Sequence, residues 1–331
     1  MIIRCKAYPR AGLVGNPSDG YFGRTISFTF SDFFAEATLY PSKELELLPG
    51  PRDRTLFRDL DSLTASVEQY GYYGGLRLVQ AALKQFVGYT RTAGIELEKK
   101  NFSLRYFSDI PPHVGMAGSS AIITACLRAL MRFYGVDIPK PLLANLILSV
   151  ETEELGISAG LQDRVAQAYQ GLVFMDFDRM VMEKTGQGIY EPIPPEKLPP
   201  VYIAYRTDRS ESSDVFHNDI RARYDRGDAE VIEAMSYWAG LTLRARDALY
   251  AGNHRELGEI LDANFDRRRK LYQIHPDNLE MVDAARSTGA SAKFTGSGGA
   301  IVGYFEDEAA WQRLLDKLTP MGIKVFCPQL I

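Results

Sequence analysis

PPHVGMAGSSAIITACLRALMRFYG, residues 111–135, places Gly115, Gly118, Ser119 and Ser120 directly before an almost wholly apolar run that Gly135 can end. The spacing predicts a buried helix over 119–134, entered through a glycine-rich turn. Glycines let the backbone approach a ligand and take positive φ, and the free N–H groups and positive end of a helix attract phosphate oxygens. A serine hydroxyl at that point can also join the shell of Mg²⁺. Read by itself, the segment equally admits a plain turn with Ser119 as the N-cap. It is not a P-loop, because GxxxxGK[ST] is absent, and no GxGxxG follows a strand as dinucleotide binding requires. Kinase HRD and DFG strings are missing as well.

Outward from this helix the chain alternates between helical and extended patterns. Residues 23–40 and 101–110 are rich in Phe, Thr and Ile and read as strands. Residues 65–90 and 141–155 carry helical spacing, the latter opened by a proline. The proline-bearing stretch EPIPPEKLPPV, 191–201, reads as an interdomain connection. Beyond it, VYIAYRT is a strand, 228–250 and 254–271 are amphipathic helices, and KFTGSGGAIVGYF, 293–305, is a glycine loop entering a strand. A helix at 307–318 and a strand at 322–327 complete an α+β second domain. The expected domains are 1–195 and 196–331.

Composition narrows the function. With 331 residues, 46% hydrophobic and 24% charged, the chain is neither peptide-like nor disordered. Its 38 Lys plus Arg against 42 Asp plus Glu give a net charge of −4, so no broad basic field exists to gather nucleic acid or anionic lipid. Cys5, Cys126 and Cys327 form neither a disulfide framework nor a zinc pattern, and the four histidines show no paired ligand spacing. No leader or 18-residue apolar run is evident, which makes the cytoplasm the expected location.

Further polar groups fall in suggestive places. Gly296, Ser297, Gly298 and Gly299 form a second glycine cluster, which read alone is a turn as readily as a phosphate cradle. Glu151 lies near a helix end, and Asp163 opens the predicted helix DRVAQAYQG; each also suits a solvated or capping role. In AYPRAGLVGNPSDGYFGR, 7–24, Arg10, Asn16, Ser18, Asp19 and Arg24 supply donors and acceptors suited to a polyhydroxy ligand.

These strings resemble three motifs of the GHMP kinases, in order. AYPRAGLVGNPSD is similar to their first motif, PPHVGMAGSS to their phosphate loop, and KFTGSGGAIV to their C-terminal glycine motif. ETEELGISAGLQDR, 151–164, resembles the galactokinase segment running from a metal-binding Glu to a catalytic Asp. Within the family the strings LVGNPSDGYFGRTISFTF, GYYGGLRL, GISAGLQDRVAQAYQGLVFMDF and NFDRRR look most like plant-type glucuronokinases. Met116-Ala117 departs from the usual Leu-Gly, and Asn16-Pro17 stands where galactokinases carry Glu-His.

The resemblance implies an α+β, two-domain fold: an N-terminal mixed α/β domain, a C-terminal ferredoxin-like domain, and an active site in the cleft between them. It implies transfer of the ATP γ-phosphoryl group to the anomeric hydroxyl of D-glucuronate. Asp163 and Arg10 would be catalytic, and Ser120 and Glu151 would hold Mg²⁺. Pro112, Gly115, Met116, Ala117, Gly118, Ser119 and Ser120 would wrap the nucleotide phosphates together with residues 296–299. For the sugar, the expected residues are Asn16, Ser18, Asp19 and Tyr21, with Tyr72 and Tyr73 as a wall and Arg24, Arg77 or the run Arg267 to Arg269 for the carboxylate, a run that equally suits a solvated helix face. A kinase for galacturonate, galactose or a heptose phosphate is the neighbouring alternative, and a catalytically silent sugar or nucleotide sensor the more distant one.

Overall fold

The computed structural model describes residues 1–50, 53, 56–70, 74–206 and 214–331; Tyr72 and Tyr73 lie outside the described residues. Its strands are β1 (Ile3–Ala7), β2 (Arg10–Val14), β3 (Arg24–Thr29), β4 (Ala35–Ser42), β5 (Glu46–Leu48), β6 (Asn101–Ser108), β7 (Leu172–Asp176), β8 (Ile189–Ile193), β9 (Val201–Tyr205), β10 (Lys293–Phe294), β11 (Ala300–Tyr304) and β12 (Lys324–Phe326). Its helices are α1 (Leu60–Tyr70), α2 (Leu76–Thr92), α3 (Gly118–Tyr134), α4 (Lys140–Ser149), α5 (Gln162–Tyr169), α6 (Arg179–Thr185), α7 (Asp214–Asp225), α8 (Ala229–Ala251), α9 (His254–Leu271), α10 (Pro276–Arg286) and α11 (Glu308–Leu318). The helical stretch read at 65–90 is therefore two helices. That read at 141–155 gives way to a π-helical turn over Val150–Glu154.

The chain forms two compact units that interleave along the sequence. One comprises residues 1–9, 33–112 and 117–168; the other comprises 10–32, 113–116 and 169–331. The ranges 1–195 and 196–331 thus divide the sequence, while each unit draws on several runs.

In the first unit, β1, β4, β6 and β5 form one sheet in that order, antiparallel except for the β5–β6 pair. Helix α3 lies on β1 and β4 with α2 beside it. Its sequence explains the placement: Ala121 through Leu127, Ala129 and Leu130 are all buried, and Gly135 stops the helix at φ 68°, its N–H donating to the Met131 carbonyl.

In the second unit, β2, β3, β7 and β8 make an antiparallel sheet. Pro192 is tolerated in β8 because that strand is the sheet edge, where a missing N–H costs no ladder bond. The prolines of 191–201 accordingly end one sheet and lead into the next within one unit. The second sheet runs β10, β11, β9, β12, all antiparallel. Numbered along the chain from β9, that is the order 2-3-1-4 of a ferredoxin-like βαββαβ motif. Phe265, Met281, Val282, Phe294, Ile301, Leu314 and Leu318 are among its core residues. Among the described residues, no helix is long and apolar enough to cross a membrane.

Gly303 lets β11 lie against its neighbours, since a methyl group there would run into the Ser291 carbonyl and the Tyr202 ring. Gly303→Ala is expected to destabilise the protein by about 1–3 kcal/mol, read as a lower urea midpoint at unchanged slope.

Candidate active site

The second unit gathers the first and third glycine motifs on a bed of buried cations. The Lys293 ammonium, on β10, donates to the carbonyls of Gly12 (2.6 Å) and Phe294 (2.7 Å) and to Asn16 Oδ1 (2.7 Å). The Arg10 guanidinium, on β2, donates to the carbonyls of Gly115 (2.7 Å) and Thr295 (2.9 Å). From α9, Arg268 donates to the carbonyls of Gly296 (2.9 Å) and Ser297 (3.2 Å). Four successive carbonyls, from Phe294 to Ser297, are thereby each taken by a buried cation. The C=O and N–H of one planar peptide unit point in opposite directions. The amides of Gly296, Ser297 and Gly298 therefore face away from the bed, as donors available to an anion.

Burial holds Lys293 well below the usual lysine range, and the neighbouring Arg268 and Arg10 charges push it the same way. Burial lowers Arg268 as well. The stacked run of carbonyl dipoles is the compensation the fold provides for these charges.

Gly115 meets this loop directly. Its φ is +68°, and a Cβ there would stand 2.9 Å from the Gly298 carbonyl, so both conformation and space require glycine. Met116 is buried and accepts the Arg10 N–H at 3.2 Å. The sugar-loop candidates lie in the same unit. Gly15 donates its N–H to Asn264 Oδ1 (2.8 Å), which anchors the turn that carries Asn16. The Ser18 hydroxyl donates to the Arg24 carbonyl (2.9 Å), closing the loop onto β3. Asp19 and Tyr21 occupy a 3₁₀ turn over Ser18–Tyr21. Burial pushes the Tyr21 phenol up to about 12. The Arg221 guanidinium sits 4.3 Å over the Tyr21 ring and donates to the Gly20 carbonyl at 2.5 Å.

Two of the arginines expected to meet a sugar carboxylate already hold carboxylates of the protein. Arg24 pairs with Asp176 at 2.6 Å, and Arg267, half-buried, approaches Glu233 of α8 at 3.4 Å. Arg77 lies half-buried in the first turn of α2, in the other unit.

The first unit carries Pro112, the start of α3 and both acidic candidates. Ala117 caps α3 in the left-handed region, φ 59° and ψ 45°, where glycine is the usual occupant; the strain is about 1 kcal/mol. Its carbonyl accepts from Gln167 Nε2 at 2.9 Å. Gly118 opens the helix, where a Cβ would make ordinary contact with Ile110.

The two serines part company here. The Ser120 hydroxyl is buried and turns back to the Ala117 carbonyl (3.2 Å), whereas the Ser119 hydroxyl donates to Glu151 Oε1 at 2.7 Å. Glu151 is fully buried in the π-helical turn, a local widening that often marks functional sites. Arg164 donates to Glu151 Oε2 through Nε (2.7 Å) and through a closer Nη2 contact. Its Nη1 donates to Asp163 Oδ2 (3.1 Å) and to the Gly160 carbonyl (2.8 Å). The structure thus brings Ser119, Glu151, Arg164 and Asp163 together on one guanidinium.

Arg164, Lys293 and Arg221 were not singled out from sequence, and Arg268 only as one of the run Arg267 to Arg269, as a sugar ligand and not as a support of the loop. A periodicity signal existed for Arg268: Leu261, Asn264, Phe265 and Arg268 share the buried face of α9, which Arg267 does not. Lys293 was signalled by standing alone in the otherwise small and apolar run SAKF.

The sequence model described as "GHMP kinases N terminal domain" matches residues 77–171, and that of "GHMP kinases C terminal" matches 245–323. Glucuronokinase 1 of Arabidopsis thaliana is 43% identical over 321 residues, 95% of this chain and 88% of that protein. The chain belongs to the GHMP kinase family. Probable glucuronokinase 2 of the same plant is 44% identical over 96% of this chain and 88% of its own length. In fold, this GHMP kinase is similar to Lactococcus lactis galactokinase complexed with galactose, with a TM-score of 0.75 at 17% identity over 99% of this chain and 93% of that one.

The depressed Lys293 fixes the sign of a pH effect in this GHMP kinase. Its folded value lies below its unfolded value, so between the two the unfolded state binds more protons and stability rises with pH. Relative to Lys293→Met, the parent protein is expected to gain stability as pH climbs toward 10.5, the ordinary lysine value. Chemical denaturation of both proteins from pH 7 to 10 checks this.

Proposed function

We propose that this protein is an ATP-dependent sugar-acid 1-kinase that converts D-glucuronate to glucuronate 1-phosphate, with ADP as the second product. The observation that carries the reading is the 43–44% identity to two plant glucuronokinases over 95–96% of the chain. A bound anionic sugar also suits a first loop with Asn16-Pro17 in place of Glu-His, which removes one carboxylate.

In this reading the amides of Gly296, Ser297 and Gly298 and the start of α3 bind phosphate oxygens. Arg10 holds the two glycine segments in place and offsets charge at the transferring group. Asp163 orients the anomeric hydroxyl and accepts its proton as the new O–P bond forms and the bond from the γ-phosphorus to the bridging oxygen breaks. Asn16, Ser18, Asp19 and Tyr21 bind the sugar hydroxyls. Arg221, which lies over the Tyr21 ring of the sugar loop, is the arginine we assign to the sugar carboxylate, with Arg77 as the second candidate.

The donor set fits Mg²⁺: Ser119 Oγ and Glu151 Oε1 are hard oxygens 2.7 Å apart at the N-terminus of α3. Ser119 and Glu151 are therefore the residues we assign to hold it, with Ser120 supporting the turn. When bound, the ion supplies neutralisation of phosphate charge. Among the described residues no group of three or more His, Cys, Asp or Glu gathers for a metal.

We place the family boundary near residue 195, between the two matched ranges. The cytoplasm is our choice of compartment, supported by three free cysteines, two of them buried.

The test is ADP release with ATP and Mg²⁺ against glucuronate, galacturonate, glucose and galactose. Glucuronate is expected to give the highest kcat/KM, and preference for another sugar would overturn the substrate. Asp163→Asn is expected to keep nucleotide affinity while losing at least about 10²-fold in kcat; unchanged turnover removes Asp163 from the chemistry.

A further inference from the structure

Arg164 is buried, 5% exposed, and its guanidinium is shared by Glu151 and Asp163. Glu151 is 0% exposed, and the protein saturates both of its oxygens, Oε1 with the Ser119 hydroxyl and Oε2 with Arg164. A buried carboxylate needs a counter-charge, and Arg164 is the cation in direct contact with it. A divalent ion at Ser119 and Glu151 would meet a carboxylate whose charge is already balanced, and would be attracted less than by a free one.

We propose that Arg164 and the divalent cation are alternative counter-charges for Glu151, so that Arg164 sets how tightly the protein holds its metal. It is a positioning residue. Through Nη1 it also fixes the Asp163 carboxylate and, by the Gly160 carbonyl, the bend that delivers Asp163 to the start of α5. The proposal deepens the reading in which Glu151 faces the metal, and rests on it.

Two measurements on full-length protein test it: thermal unfolding in EDTA and in saturating Mg²⁺, and Mn²⁺ binding in the presence of ADP followed by electron paramagnetic resonance. Arg164→Gln removes the charge and keeps a hydrogen-bonding amide. It is expected to lower Tm in EDTA, to recover more of that loss with Mg²⁺ than the parent gains, and to bind Mn²⁺ at least about ten-fold tighter, a range typical of coupled sites.

Arg164→Lys keeps the charge and loses the planar fork. It is expected to hold Mn²⁺ as the parent does while kcat falls at unchanged KM, because Asp163 loses its orienting N–H. This variant carries the test if Arg164→Gln does not fold.

Mn²⁺ affinity in Arg164→Gln equal to or weaker than the parent's overturns the proposal, as does tighter binding in Arg164→Lys. The control Glu151→Gln separates the two levels. Lost Mn²⁺ binding there with no effect of Arg164→Gln sinks this inference alone, whereas retained binding sinks the metal role of Glu151 and the inference with it.

Discussion

Three buried cations beneath one glycine loop are the constraint on which the second unit depends. Lys293, Arg10 and Arg268 come from two strands and a helix that are distant in sequence, and their acceptors are the consecutive carbonyls of 294–297. Each cation is costly to bury, and a carbonyl dipole compensates it only when aimed at it. The loop is thereby held with one face turned to the cations and the opposite face, made of N–H groups, turned away from them. The anion-binding role we propose for this loop rests on that backbone orientation, with the arginines and the lysine acting behind it.

The first unit solves a related problem differently. There the buried charges are of opposite sign, and one arginine serves two carboxylates on neighbouring elements. The π-helical turn at Val150–Glu154 and the short connection to α5 set the separation between Glu151 and Asp163. Ser119 reaches Glu151 because α3 begins only after a left-handed residue, Ala117, which turns the first helical hydroxyl toward that side.

Much of this was legible in sequence. The apolar run after Ser120 specified α3, and the Gly135 stop and the strands at 24–29, 101–108, 201–205 and 300–304 followed from composition and turn residues. The glycine motifs and their order pointed to the family. What stayed hidden depended on rotation about a helix axis or on distant partners. Adjacent serines look alike until the helix start is placed to one residue. Within the run Arg267, Arg268 and Arg269, only the register of the buried face distinguishes the one that supports the loop. Arg24 was a reasonable ligand for an anion until Asp176, 152 positions away, was found beside it.

The interleaved architecture has a consequence for biosynthesis. The first unit is complete in sequence once residue 168 has left the ribosome. Strand β2 belongs to the other unit, and its Gly12 carbonyl is bonded by Lys293, made 281 positions later. At a synthesis rate of about 5–20 residues per second, residues 10–32 wait roughly a quarter of a minute to a minute for that partner. Throughout that interval strands β2 and β3 lack the neighbours that finally bury them, and their edges stay open to mispairing.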